Sequence, residues 1–112
     1  MYVCKQIKNM IECKCINDKN KPSIIPSSKW LTLGNIYNVT HIGTTVGGFS
    51  IAVTLKEISL GKEYYPYEGF NINRFVFREE DIPKLIELME SCKELSKINI
   101  EQLTNQILVT HE

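Results

Sequence analysis

Phe49-Ser50-Ile51-Ala52-Val53-Thr54-Leu55-Lys56 puts a large apolar residue at every odd position and a small or polar one at every even position. A period of two belongs to a strand with one buried face, whereas an amphipathic helix repeats near 3.6. Upstream, residues 43–48 read as a flexible turn and residues 36–42 as the preceding strand. On that strand Tyr37, Val39 and His41 share one face, expected to be the core side, while Asn38 and Thr40 share the other. Leu33-Gly34-Asn35 reads as a tight turn leading into it, with Gly34 supplying a positive φ. Gly43, Gly47 and Gly48 fit neither the dinucleotide-binding nor the P-loop spacing, and a strand follows them instead of a helix, which removes a phosphate-cradling loop.

Farther upstream, Ile11, Cys13 and Cys15 alternate with Glu12 and Lys14, predicting a half-buried strand over residues 11–17. The polar run Asn17-Asp18-Lys19-Asn20-Lys21-Pro22 follows as a loop, and a second loop with Pro26, Ser27 and Ser28 delivers Lys29-Trp30-Leu31. Downstream, Tyr64-Tyr65-Pro66-Tyr67-Glu68-Gly69-Phe70 concentrates more aromatic surface than a short loop easily buries. Phe70 and Ile72 are even-numbered and Phe75 and Phe77 odd-numbered, a switch of parity that predicts a bulge near Asn73-Arg74. At Arg78-Glu79-Glu80-Asp81 the apolar period changes from two to 3.6. Asp81 is the expected cap, Pro83 lies in the first turn, and Ile82, Leu85, Ile86, Met89, Cys92 and Leu95 form one stripe to about Lys97. Asn99 with Gln102 offers a second cap for a short helix carrying Ile100, Leu103 and Ile107 toward Val109.

The expected fold is therefore α+β. It is a small SH3-like or strongly bent antiparallel β-barrel of four to five strands over about residues 11–77, followed by a helical part over about 81–109, all in one domain spanning 1–112. Ile11, Cys13, Tyr37, Val39, Ile51, Val53, Leu55, Phe75, Leu85 and Met89 are its expected core.

A chain of 112 residues, 43% hydrophobic and 23% charged, suffices for one core and excludes a two-domain enzyme. Thirteen basic and thirteen acidic side chains cancel, so no global field draws the molecule to DNA, RNA or an anionic membrane. The charge is uneven along the chain, with six lysines against Glu12 and Asp18 in residues 1–30, and three basic against eight acidic residues in 79–112. No apolar run approaches the roughly 20 residues of a membrane helix, and the N-terminus lacks the apolar region of a signal peptide, so the cytoplasm is the expected compartment. In that setting Cys4, Cys13, Cys15 and Cys92 read as small buried hydrophobes. The Cys13-x-Cys15 spacing and the two histidines supply too few ligands for a metal, and no cofactor is expected.

Catalysis needs a nucleophile beside a base, yet His41 reads as a rim residue at a strand end and His111 lies at the terminus. A hydrolase, either phosphodiesterase or glycosidase-like, would have to work through Glu57 and Glu68 with Arg74. A binding module needs less. Trp30, Tyr64, Tyr65 and Tyr67 offer aromatic surface, Lys29 and Arg74 offer charge for a phosphate or carboxylate, and Glu68 lies among them. The apolar C-terminal residues Ile100, Leu103, Ile107 and Leu108 exceed what one short helix can hide, which predicts a homo-oligomer, most simply a two-fold dimer.

Cys15-Ile16-Asn17-Asp18-Lys19, Lys29-Trp30-Leu31, Gly34-x-x-Tyr37-x-Val39, Leu55-x-Glu57-Ile58, Tyr67-Glu68-Gly69-Phe70 and Arg74-Phe75 together resemble a group of small proteins encoded by bacteriophages and prophages. The resemblance spans residues 13 to 78. It implies a phage setting and a barrel, and it carries over no catalytic residue. By a looser analogy, phage proteins of this size include sponges that sequester nucleotide signals of bacterial immunity. The expected function is accordingly non-enzymatic capture of a small anionic, nucleotide-like ligand by Lys29, Trp30, Tyr64, Tyr65, Tyr67, Glu68 and Arg74. The alternative is a protein-interaction module that inhibits or adapts a host protein, and the carboxylate hydrolase is third.

Overall fold

The computed structural model describes residues 2–45, 50–65 and 67–90, with side chains described from residue 6 onward. Strands β1 (Tyr2–Cys15), β2 (Ile36–Thr44), β3 (Ile51–Leu55), β4 (Phe70–Asn71) and β5 (Phe75–Phe77) precede one helix, α1 (Ile82–Glu90). The strands make a single antiparallel sheet in the order β4-β3-β2-β1-β5. Its edge strands, β4 and β5, are joined by one 3-10 turn, Ile72–Arg74. In a flat sheet those edges would lie about 19 Å apart at about 4.8 Å per strand, but the four Cα steps from Asn71 to Phe75 reach at most about 15 Å. The sheet therefore curls into a half-barrel, and the architecture is α+β.

All ten expected core residues sit in the one buried cluster, joined by Ile7, Cys15, Leu31, Ile42, Phe70, Ile72, Phe77 and Ile82. Burial pushes both the Cys13 and the Cys15 thiol above the usual range, so these side chains act as apolar filler. Gly34 takes the expected positive φ of 86°, and the Asn35 amide donates to the Thr32 carbonyl across the turn at 3.1 Å.

Several boundaries differ from expectation for identifiable reasons. The sheet begins at Tyr2 instead of residue 11, because register shifts between Val3 and Lys5 and between Gln6 and Ile11 break the alternation that would mark β1 as a strand. The parity switch before Phe75 is produced by the 3-10 turn and not by a bulge; Asn71 Oδ1 accepts from the Asn73 amide at 2.9 Å to start it. A bulge does occur, but in β2. Val39 pairs with Leu55 and His41 with Thr54, so Thr40 is an extra residue, and Val39 and Ile42 both reach the core.

Asp81 is not the helix cap. A 3-10 turn over Glu79–Asp81 runs straight into α1, and the Asp81 carboxylate accepts from Arg78 Nε at 3.1 Å. Arg78 also reaches Glu12 at 3.4 Å, which ties the start of the helix to β1. Ile82, Leu85 and Met89 turn the predicted stripe onto the sheet, with Ile86 and Leu88 partly buried beside them. The continuation of the stripe to Lys97, the second helix and the apolar set Ile100, Leu103, Ile107 and Leu108 lie outside the described residues. Among the described residues no helix is long and apolar enough to cross a membrane.

Candidate functional site

Residues 16–35 connect β1 to β2, a length at which connections without regular structure usually carry function. The base of this loop is fastened by hydrogen bonds from the Cys15 amide to the Asn35 carbonyl and from the Gly34 amide to the Cys15 carbonyl. Ile25 and Leu31 are buried, and Lys21 Nζ donates to the Ile25 carbonyl. The loop is thereby folded onto the barrel, and a cleft of about 430 Å³ lies where it meets β4 and the following 3-10 turn.

Three of the expected site residues, Trp30, Tyr67 and Arg74, line this cleft. The half-buried indole of Trp30 packs on Phe70 at 5.5 Å between ring centres and donates from Nε1 to the Asp18 carbonyl at 2.6 Å. The Arg74 guanidinium sits 4.9 Å from the centre of the same indole. Arg74 Nη1 donates to the Lys19 carbonyl at 2.8 Å and the Asn17 carbonyl at 3.2 Å, which fixes the plane of the group. A guanidinium carries five N–H donors. The Nε–H and the Nη2 pair, the fork that grips an oxyanion, have no partner among the described residues, and no carboxylate there lies within ion-pair distance of Arg74. Burial lowers the guanidinium pKa, yet the group stays charged at any physiological pH. The cleft thus holds a partly desolvated, oriented cation that feels the Asp18 charge but has no direct ion pair among the described residues.

The structure separates the other expected residues. Lys29 lies 5.8 Å over the ring of Tyr64 and donates to the Ser59 carbonyl at 3.3 Å, away from the cleft lining. Tyr65 is 61% exposed and lines neither cleft, whereas Tyr67, at 43%, lines the large one. Glu68 lines a second, smaller cleft beside His41. Asn20, Pro22, Ile25, Thr45, Gly69, Phe70 and Asn71 complete the large cleft and were not legible as site residues. For Asn20 the signal was its place in the polar loop, where it adopts a φ of 61°.

Of the three residues of the carboxylate reading, Glu57 lines neither cleft, Glu68 lines the small one and Arg74 the large one. Both Glu57 oxygens are engaged, one by the Asn38 amide at 2.8 Å and the other by Asn38 Nδ2 at 2.7 Å. Burial raises the Glu57 pKa, but these two hydrogen bonds, with the residue's own backbone amide and the Lys56 charge, outweigh it and hold the carboxyl below the ordinary range. A depressed folded-state pKa stabilises the fold above the unfolded value of about 4.3 and ceases to do so as pH falls through the folded value. Glu57→Gln is therefore expected to flatten the acid limb: its urea midpoint should fall less than that of the parent between about pH 5 and about pH 3. An equal or larger fall would remove Glu57 from the acid response.

One pairing contradicts the sequence reading. The alternation places His41 on the face of Tyr37 and Val39 and Thr40 on the other, but His41 Nδ1 lies 3.0 Å from Thr40 Oγ1 and 3.1 Å from Thr54 Oγ1. The bulge at Thr40 is the cause, because adjacent residues of an unbroken strand point to opposite faces. Comparison with known protein families, with curated proteins and with solved structures finds no match to this chain.

Proposed function

We propose that this chain is a non-enzymatic, phage-type binding protein that captures a small anionic ligand, of the nucleotide-signal class, in the cleft between the β1–β2 loop and β4. The observation that carries the reading is Arg74, a half-buried cation whose Nε and Nη2 face is unpaired among the described residues. Partial desolvation of a cation that lacks a direct ion pair is costly, even with the Asp18 charge nearby, and an oxyanion in the cleft relieves that cost. The volume of about 430 Å³ falls in the range of small-molecule sites. Tyr67 supplies an exposed ring for stacking, and Asn20, Asn71 and Thr45 supply amide and hydroxyl groups. Within this reading the barrel is SH3-like, supported by the meandering strand order and the 3-10 turn between the last two strands. The phage setting rests on the sequence resemblance, and the two-fold dimer on the apolar C-terminal residues.

Trp30 is the chain's single tryptophan, so its fluorescence reads the cleft directly. Titration with cyclic dinucleotides, cyclic mononucleotides and ADP-ribose derivatives is expected to quench it saturably for at least one member. Native mass spectrometry of freshly purified protein should show retained small molecule and the subunit number together. A flat response across the panel, with no extractable ligand, refutes capture.

The adaptor reading draws on a different observation. Ile16, Leu33 and Ile36 are 47%, 57% and 41% exposed, and the hydrogen bonds that close the β1–β2 loop bring their backbones to one end of the barrel. A host protein that co-purifies stoichiometrically, with no small molecule present, is the outcome that favours it.

A further inference from the structure

The large cleft offers an anion more than the Arg74 fork. Asn71 and Arg74 stand at the two ends of the 3-10 turn Ile72–Arg74, and both line the cleft. In 3-10 geometry residues three apart eclipse one another at a rise of about 2 Å per residue, which sets the two on one side of the turn. Asn71 is also oriented. The Asn73 amide can only donate, so the Asn71 oxygen must face it, at 2.9 Å, and Nδ2 with its two hydrogens is the part left over. Nδ2 makes no hydrogen bond among the described residues. Arg74 Nε and Nη2 together with Asn71 Nδ2 make a wall of donors, the complement of an oxyanion.

The charge on this wall is small. Of the ten described residues that line the cleft, Arg74 alone is charged. Residues 46–49 and 66, next in sequence to the lining Thr45 and Tyr67, carry no charge either. Asp18, whose charge Arg74 feels, subtracts from the local field. Lys21 donates its ammonium to the Pro22 and Ile25 carbonyls, and Lys19 meets Arg74 through its carbonyl while its side chain is exposed. One cation compensates one anionic charge, and a second charge on the same group would leave water without an ion pair.

We propose that the cleft takes a phosphodiester, a phosphate bearing a single charge, held by Arg74 and Asn71 Nδ2 in preference to the doubly charged phosphate of an open nucleotide. Within the nucleotide class this selects cyclic nucleotides. The inference rests on the reading that the Arg74 cleft holds an anionic nucleotide.

The test is calorimetry on the full chain with cyclic AMP and cyclic GMP against AMP and GMP. At about pH 8 the cyclic members are expected to bind about tenfold tighter. A phosphomonoester gains a proton with a pKa of about 6, so AMP and GMP should close most of that gap between about pH 8 and about pH 5. The ratio of affinities is the readout, because protonation of His41, which lines the small cleft with Phe70, acts on both members of each pair. Asn71→Asp keeps an oxygen for the Asn73 amide and replaces the Nδ2 donor with a carboxylate oxygen, so the fold should persist and cyclic-nucleotide affinity should fall by more than about tenfold. Asn71→Ser removes the donor without adding charge, and about three- to tenfold should go, the scale of one lost hydrogen bond. Thermal unfolding of both variants close to the parent midpoint separates a lost contact from a lost fold. Cyclic dinucleotides carry the same singly charged link, and binding by them that Asn71→Asp abolishes also supports the proposal. Equal or tighter binding of AMP and GMP at about pH 8, binding confined to ADP-ribose derivatives, or unchanged affinity in both Asn71 variants overturns the phosphodiester and leaves the anion reading standing. No binding by any nucleotide of the panel overturns both.

Discussion

Phe75→Ala is expected to destabilise the fold by about 3 to 5 kcal/mol, the usual cost of deleting a fully buried ring. Phe75 has no exposed surface, and its ring meets Tyr37 and Phe70 edge-on, each at 6.5 Å between centres. It also sits at the point where the barrel is drawn together, immediately after the 3-10 turn that carries the chain from one sheet edge to the other. The cavity would open between β5, β2 and β4 at once, with no neighbouring element free to collapse into it. Against a typical domain stability of about 5 to 15 kcal/mol, such a loss removes a large share of the folded population's margin. Urea denaturation followed by circular dichroism measures it, and Phe75→Leu, which refills most of the volume, should recover more than half. A loss below about 1 kcal/mol for the alanine variant would mean that the ring is not a core element.

What the sequence made legible follows from which features are local. The alternation through residues 51–55 and the change of period at residues 78–81 are each set by a few consecutive side chains, and both elements stand where they were expected. Parity was a usable signal even where its cause was misread. Phe70 and Phe75 fall on opposite parities because a turn intervenes, and Val39 and Ile42 do so because Thr40 bulges. The second switch was present in the sequence and masked by Tyr37, Val39 and His41, whose clean alternation made a straight strand sufficient. The first nine residues of β1 were lost for the opposite reason, since two register shifts leave no period to see.

The site was legible in part because charge and aromaticity are visible residue by residue, whereas their meeting in space is not. Trp30 and Arg74 are far apart in sequence and in contact in the fold. Conversely, Tyr64, Tyr65 and Tyr67 crowd the sequence and separate in space: Tyr64 ends the 3-10 turn Lys62–Tyr64 beneath Lys29, Tyr65 is largely exposed, and Tyr67, whose amide donates to the Tyr64 carbonyl, lines the cleft. The amide and hydroxyl groups of Asn20, Thr45 and Asn71 come from two connections and from the end of β4, and carried no signal of convergence.

Trp30→Ala is expected to cost about 2 to 4 kcal/mol, somewhat below the value for a fully buried aromatic because the indole is only partly buried. Three contacts go together: the packing on Phe70, the Nε1 donation to the Asp18 carbonyl, and the platform under Arg74. The last two join residues 17–19 to the barrel, since Arg74 holds the Asn17 and Lys19 carbonyls while Trp30 holds that of Asp18. Removing the indole should therefore loosen the β1–β2 loop more than the sheet. Hydrogen exchange would show this as faster exchange of the Ile25 and Lys29 amides, whose partners are the Pro22 and Pro26 carbonyls, with the strand amides of β2 and β3 little changed. Ligand affinity should fall with it, because the Arg74 fork is no longer held in one orientation. Trp30→Phe separates the contributions: it keeps a ring for Phe70 and Arg74 and loses the Nε1 donor, so about 1 kcal/mol of stability should go and most of the affinity should remain. Unchanged loop exchange in Trp30→Ala would show that the loop is held by its buried Ile25 and Leu31 alone, and Arg74 would then owe its orientation to the Asn17 and Lys19 carbonyls without the indole.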